Sequence, residues 1–583
     1  MGVRHLDTYI RETVPGGFIR INIEDEIRKY FEKAGKTNPK PPIIVIDLIT
    51  LYTPLSKYDR KGLYFGGRFN LAYTVIDEFF GKLKGLGAKL VFFYDGPVPE
   101  SKNETWCARQ DRRYEEMLPL ISAVDMGFDL TTLMNYSPPL NFRYALKFIA
   151  KKYGELKVTM THECDQELAA HVTKVNALAI ISNDSDFLIY EGSWKYWSSR
   201  EIQLPTLVTM EYNRAALVRH LDLSFQQMPL LATLSGNDIM PFDVVKLLHY
   251  QLGYGDKFSK LARYIKGLGN GPLNEAAIRN ILSAFTNSST WFKQFQQSLD
   301  TYSVNINPQD GSTTGDLVQE ALSKQESAFM YLLWLEKRLD VSIGLVDMRR
   351  TDFGQDYGQL QISLIVHMAG IILFHRKPRQ PTQCSIIIKT THHEPHQAHS
   401  YPVVYPRGIE TPTLLDLLSK DPVVLEDLQT VKYQLLAWIA SDTLNPDELR
   451  EVPPQLRITV FSVYYLLDQK VLELFEADLL LQVAYDVAFE TYDPKAVDYP
   501  RKIASRPFRL VFLYQTIYGL ATKAYRLVGL DDENFRDDPP FDGVLFHKRY
   551  DDWSKGQCEL ENIEEWRIYK ELVSQSLKLE KKR

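Results

Sequence analysis

The stretch "IISNDSDFLIY", residues 180–190, is an apolar run that ends on two carboxylates, Asp184 and Asp186, set two residues apart. A short apolar run bounded in this way reads as a strand leaving its sheet. Side by side the two acids repel each other, and burying either one unpaired is costly. A cation between them removes both objections. The same strand-then-acid pattern recurs along the chain. "PPIIVIDLITLY" (41–52) carries Asp47 and "AKLVFFYDG" (88–96) carries Asp95, with "FNLAYTVIDEFFGKLKGLG" between them as a glycine-stopped helix. "FRYALKFIAKKYG" (142–154) reads as a helix and "LKVTM" (156–160) as a strand, followed by Glu163 and Asp165 in "THECDQELAA" at a helix start. "NALAIISN" (176–183) is a further strand, and "MPLLATLSGNDIMP" (228–241) ends at Asp238.

This alternation over the first ~285 residues predicts a mostly parallel sheet flanked by helices. In such a sheet ligands gather at the carboxyl ends of the strands, so several of these acids should meet at one edge. Taken singly, each acid also reads as a surface carboxylate or a helix cap. Their recurrence at strand ends, with two pairs spaced i, i+2, favours a shared pocket. Seven carboxylates in one pocket cannot all ionise without neutralising charge. Two hard divalent ions, Mg²⁺ or Mn²⁺, held by oxygens meet that need. Such a pair clamps the attacking and leaving oxygens of a phosphodiester displacement.

Composition narrows the class. The chain has 583 residues, enough for two or more domains, with 45% hydrophobic and 24% charged residues. A net charge of −6 excludes a uniformly basic surface but leaves room for a local basic groove. The four cysteines, Cys107, Cys164, Cys384 and Cys558, form no CxxC pair, which fits a reducing intracellular compartment, nuclear or cytoplasmic. The opening "MGVRHLDTYIRETVPGG" has no apolar leader core, and no uncharged run is long enough to span a bilayer, so no membrane partner is expected. "NINPQDGSTTGD" (305–316) has linker composition, and the runs after it, notably 411–490 and 507–530, read as helices.

The order Asp47, Asp95, Glu163-x-Asp165, Asp184-x-Asp186, Asp238 resembles the seven acidic residues of flap endonuclease-like nucleases with a PIN-like fold. "MGVRHLDTYI" is similar to their N-terminal start, which implies that the chain's beginning lies near the site. "YDGPVPESKNETWCARQDRR" is similar to their basic segment, with Lys102 and Arg109 at the offsets of two phosphate-gripping residues. The resemblance covers roughly residues 1 to 245. Within the superfamily, "YFGGRFNLAYTVIDEFFGKL", "SNDSDFLIY" and "LSGNDI" are most similar to the Asteroid family. The chain also resembles the constitutive coactivator of PPAR-gamma-like proteins, regarded as RNA-binding scaffolds with an eroded site, but it keeps Asp238 where they lack the acid. One departure stands out. The glycine hairpin that grips duplex phosphates in the family does not follow Asp238; its nearest echo is "KGLGNGPLNEAAIRNIL" from Lys266, with Gly267, Gly269 and Gly271. A glycine turn of that kind can hold a phosphate at a helix start, but it is better read as a cap joining two packed helices.

Lys102 and Arg109 are seven apart and share a face if their segment is helical, whereas the plain alternative is a solvated helix with internal ion pairs. Tyr52, just past Asp47, is placed to stack on a base, although a tyrosine there is more often half-buried core. "THHEPHQAH" (391–399) holds metal-binding residue types, but Pro395 and the spacing favour a polar loop; "RKPRQP" (376–381) is a basic loop or a phosphate contact.

The expectation is therefore an α/β PIN-like domain, 1–285, a linker, 286–316, and a mainly helical region, 317–583, suited to binding a protein partner. The function expected is a metal-dependent, structure-selective endonuclease acting on single-stranded or flap-containing DNA or RNA. Asp47, Asp95, Glu163, Asp165, Asp184, Asp186 and Asp238 would hold two ions, and Lys102, Arg109 and Tyr52 the nucleic acid. The alternative is a catalytically silent scaffold that binds nucleic acid.

Overall fold

The computed structural model describes residues 2–35, 39–98, 102–139, 145–160, 163–269, 273–286, 291–304, 316–324, 327–341, 357–376, 383–388, 397–531 and 535–556. The chain divides into two compact units that interleave in sequence. One takes in 1–55, 75–106 and 149–313; the other takes in 56–74, 107–148 and 314–583.

The first unit is built on a seven-stranded sheet. Its strands are β1 (Phe18–Asn22), β2 (Ile43–Asp47), β3 (Lys89–Asp95), β4 (Gly154–Thr159), β5 (Ala179–Ser182), β6 (Lys195–Ser198) and β7 (Val208–Tyr212), in the order β1-β7-β6-β5-β2-β3-β4. The five strands β4, β3, β2, β5 and β6 run parallel, and β7 pairs antiparallel with both β6 and β1. Ile44, Val45 and Ile46 are fully buried, as a central parallel strand covered on both faces requires. From β2 the chain steps outward to β3 and β4, then returns to place β5 and β6 on the other side of β2. That reversal sets the carboxyl ends of β2 and β5 side by side, the place where ligands gather in open sheets of this kind.

Helices cover the sheet. Leu6–Glu12 buries Leu6, Tyr9 and Ile10, and Cys164–Lys174 buries Leu168, Ala169 and Val172 in the same apolar cluster. All eight residues of Met228–Ser235 are buried. That helix packs against Lys257–Gly267 and Trp291–Asp300, which carry the cluster on to Phe295 and Tyr302. Lys257–Gly267 ends at the glycine stretch, where Gly269 has a φ of +87° and turns the chain out of the helix. Residues 270–272, and with them Gly271, lie outside the described residues.

The second unit is mainly helical. Ser505–Leu527 packs against Arg457–Asp468 and Tyr357–Leu373, and Leu474–Ala488 packs against Gly543–Ser554. A small sheet that the sequence did not announce joins Arg338–Val341, Gln383–Ile388 and Gln397–Pro402, the middle strand parallel to the first and antiparallel to the last. Polar anchors tie its distant segments. Arg68 and Asp542 form a buried pair at 3.1 Å, and Asp542 also accepts from Tyr492 at 2.8 Å and caps Gly543–Ser554 through Val544 and Leu545. Arg509, 2% exposed, pairs with Asp125 at 2.7 Å. Among the described residues no helix is long and apolar enough to cross a membrane. Residues 391–396, 305–315 and 377–381, which include most of the histidine, linker and basic-loop segments, lie outside the described residues.

Candidate metal centre

The acidic residues sit where the strand ends place them. Asp47 is the last residue of β2 and Asp95 the last of β3. After β4 the chain enters Cys164–Lys174, with Glu163 as its N-cap and Asp165 in its first turn, where the helix dipole favours negative charge. After β5, Asp184 caps the short 3₁₀ turn Ser185–Leu188, accepting from the Asp186 amide at 3.0 Å. Asp238 follows Met228–Ser235 by way of Gly236, whose φ of +85° suits a residue without Cβ at that turn.

Hydrogen bonds join these ends. Ser182 Oγ donates to Asp47 Oδ2 at 2.7 Å across the reversal between β2 and β5, and the Asp184 amide donates to Ser182 Oγ at 3.3 Å. The Gly2 amide donates to Asp184 Oδ1 at 3.1 Å, and Ser185 Oγ donates to the Val3 carbonyl at 3.3 Å. A Cβ on Gly2 would stand 2.4 Å from Asp186 Oδ1 and 2.6 Å from Asp184 Oδ1, so any larger residue would force these carboxylates to move.

Asp165, Asp184 and Asp186 each bring one oxygen to a common locus, all within 4.8 Å of one another. The electrostatics of that locus are unfavourable to three anions. Burial, followed by the charges of Asp184 and Asp47, pushes the Asp165 carboxyl well above the ordinary range. Asp47, 5% exposed, is raised by burial and by Asp95, against the hydrogen bond from Ser182. Asp186 is pushed up to about 7 by burial and by Asp184, although Tyr302 and Lys102 pull the other way. Hard oxygen donors crowded at this spacing fit a divalent cation.

Lys102 stands one residue before the helix Asn103–Asp125. Its ammonium meets Glu163 Oε2 at 2.7 Å. Burial alone would lower its pKa, but Glu163, Asp165 and Asp238 together raise it, so it stays charged. Lys102 and the acids that raise it thus form one electrostatic group with the triad. Arg109 lies on Asn103–Asp125, in the part of that helix that belongs to the second unit. Tyr52 opens the helix Tyr52–Tyr58 and is half-buried. Sequence reasoning missed three residues at the site. Ser182 had a signal, being the last residue of the strand before Asp184. Asn237 had one as well, standing next to Asp238, whereas Tyr302 had none, since Asp186 is 116 positions away.

No family model matches the chain. Constitutive coactivator of peroxisome proliferator-activated receptor gamma from Bos taurus is 28% identical over 256 residues, which is 43% of this chain and 35% of that protein. The Homo sapiens protein of the same name is 28% identical over 256 residues, 43% of this chain and 27% of its own length. Constitutive coactivator of PPAR-gamma-like protein 1 from Mus musculus is 19% identical over 258 residues, 43% of this chain and 23% of its own. The match therefore spans at most about a third of these curated relatives. Among solved structures, the catalytic core of Rad2 is 14% identical, covering 49% of this chain and 86% of its own, with a TM-score of 0.27. The T5 D15 protein co-crystallized with metal ions is 14% identical, covering 49% and 97%, with a TM-score of 0.30. The T5 D15 flap endonuclease in a pseudo-enzyme-product complex with DNA and metal ions is 13% identical, covering 49% and 97%, with a TM-score of 0.31. Over 43% of its length the chain is thus similar to curated proteins named constitutive coactivator of peroxisome proliferator-activated receptor gamma and constitutive coactivator of PPAR-gamma-like protein 1.

Proposed function

We propose that the chain is a divalent-metal-dependent endonuclease that hydrolyses phosphodiester bonds in single-stranded or flap-containing nucleic acid. The observation that carries this reading is the convergence of Asp165, Asp184 and Asp186 within 4.8 Å beyond the carboxyl ends of the parallel strands. These three would hold one Mg²⁺ or Mn²⁺, and Asp47, Asp95, Glu163 and Asp238 would complete a second position. Bound there, divalent ions supply charge stabilisation and alignment for water attack at phosphorus. The chain's own residues do the rest. Ser182 orients the Asp47 carboxylate, Gly2 leaves the acids accessible, and Lys102 offers a cation beside them for the scissile phosphate. Arg109 and Tyr52 are proposed as further nucleic-acid contacts on their sequence positions.

Two expected outcomes follow. Gly2→Ala should displace the two carboxylates its Cβ meets and weaken Mn²⁺ binding by about tenfold or more, measured by calorimetric titration. Lys102→Ala should slow cleavage by roughly 10²-fold, as loss of a charge-stabilising donor does. It should also reduce the salt slope of nucleic-acid affinity by about 0.7–0.9, one phosphate contact's worth.

The deciding experiment incubates one labelled sequence as single strand, flap and blunt duplex with Mn²⁺ or Mg²⁺. Single strand and flap should be cut several-fold faster than duplex, because bases free of a partner can rest on aromatic faces without prior opening. Asp184→Ala should be inert on all three. A second reading, a nucleic-acid-binding scaffold without cleavage, is favoured by the coactivator names of the homologues. Metal-independent binding with no product on any substrate would select it.

A further inference from the structure

We propose that Tyr302 is a positioning residue for the metal centre, and that the turn carrying it holds three of the acid-bearing segments in register. Tyr302 lies two residues past the helix Trp291–Asp300, 4% exposed, and its hydroxyl is 2.9 Å from Asp186 Oδ1. The direction of that bond is fixed by its neighbours. Asn237 Oδ1 accepts from the amides of Ile239 at 3.1 Å and Met240 at 2.8 Å, so its NH₂ must face the other way. There it donates to Ser298 Oγ at 2.8 Å and to Tyr302 Oη at 3.2 Å. A phenol that accepts from Asn237 turns its own proton to Asp186. Two backbone amides thus orient an amide, the amide orients a hydroxyl, and the hydroxyl orients a metal-binding carboxylate.

The same turn is tied to the other acids. Gln166, next to Asp165, donates through Nε2 to the carbonyls of Asp300 and Ser303, each at 3.1 Å. Asn237 is next to Asp238. Tyr190, four residues past Asp186, packs its ring 5.5 Å from that of Tyr302 and donates its hydroxyl to the Thr301 carbonyl at 3.2 Å. Residues 300–303 therefore fasten the Asp165, Asp186 and Asp238 segments to one another. A carboxylate whose free rotation is removed by such an outer bond binds metal more tightly, and loss of the bond typically costs 10–100-fold in affinity.

This inference rests on the nuclease reading only in that the acids bind a divalent ion, and the test separates the two. Mn²⁺ binding to the full chain is followed by the electron paramagnetic resonance signal of free Mn²⁺, for wild type, Tyr302→Phe, Gln166→Ala and Asp184→Ala. Tyr302→Phe keeps the buried ring and removes only the hydroxyl. It should weaken Mn²⁺ binding about 10–100-fold. Cleavage should return toward the wild-type rate at saturating Mn²⁺, which a general loss of packing would not allow. Gln166→Ala, at a more exposed bond, should weaken binding several-fold in the same sense. Wild-type binding with unchanged affinity in both variants overturns the positioning role and leaves the metal centre standing. If Tyr302→Phe does not fold, unchanged affinity in Gln166→Ala alone overturns it. Failure of the wild type to bind Mn²⁺ overturns both readings.

Discussion

Asp186→Asn is expected to abolish cleavage, by on the order of 10²–10³-fold or more, while raising the melting temperature of the ion-free protein. Asparagine keeps an oxygen for the Tyr302 hydroxyl, so the positioning bond survives and only the charge goes. In the ion-free native state that charge is a liability, since burial and Asp184 push the Asp186 carboxyl up to about 7. The sign follows from linkage. A carboxyl raised in the folded state binds its proton there after the unfolded chain has released it, so native stability falls as pH rises from about 4 to about 7. The advantage of Asp186→Asn should accordingly be absent near pH 4, grow through that window and stay constant above it. Differential scanning calorimetry in chelator across the window measures it, with 1 kcal/mol worth roughly 2–4 °C. Saturating Mn²⁺ should reverse the order, because the wild type gains binding energy that the variant lacks. A variant less stable than wild type at pH 8 in chelator would count against the crowded-carboxylate account.

Arg214→Leu is expected to destabilise the first unit by about 2–4 kcal/mol, because it strips buried carbonyls of their donor. Arg214 is 5% exposed, and burial lowers its pKa to about 9, so it is still cationic at neutral pH. It reaches no carboxylate in the structure's ion pairs among the described residues. Instead its guanidinium donates to the carbonyls of Tyr190, Gly192 and Trp194, the last two at 3.2 and 3.3 Å, and lies 3.5 Å over the Trp194 ring. Those carbonyls form the loop that leads from the Asp184–Asp186 turn into β6. Leucine leaves the buried carbonyls of Tyr190 and Trp194 without this donor, each costing about 1–3 kcal/mol less whatever relaxation recovers. Chemical denaturation of the two proteins gives the difference. A loss below about 1 kcal/mol would mean that water or another donor replaces the guanidinium.

Much of the first unit was legible because its strands are short, apolar and β-branched and end on acids. "IIVID", "KLVFFYD" and "AIIS" became β2, β3 and β5, and the helix between the first two was read from its glycine stop. The strand expected at 156–160 begins two residues earlier, at Gly154, because pairing with β3 extends it upstream. β1, β6 and β7 escaped notice for a physical reason. "FIRIN" at the antiparallel edge and "VTMEY" beside it mix charged and apolar residues, and "KYWS" is only four residues long, so a search for continuous apolar runs passes over all three. The acids were read from local pattern; of the seven, Asp165, Asp184 and Asp186 share one locus, Asp47 and Asp95 act on Asp165 through their charge, and Glu163 and Asp238 act on Lys102. Tyr302 was not, since nothing local marks a tyrosine whose partner is more than a hundred positions away. The same limit hid Arg68 and Asp542, a pair separated by 474 positions.

That last pair bears on how far the chain can be divided. Arg68 comes only 21 positions after Asp47 in sequence, yet its carboxylate partner comes from Asp542, 474 positions on. Asp125, likewise, waits for Arg509. A gene fragment ending after residue 313 would encode all seven acids. It would also encode Arg68, Phe65 and Phe69, which are buried in the whole chain, without the helices that bury them. Released from those helices, the arginine and both rings would face water, and apolar side chains exposed in that way favour association. The two units are interleaved in coding order, so no single cut in the sequence yields one without pieces of the other. The acidic edge is not a cassette that one cut can lift out, since 56–74 and 107–148, which belong to the second unit, lie between its own segments in sequence.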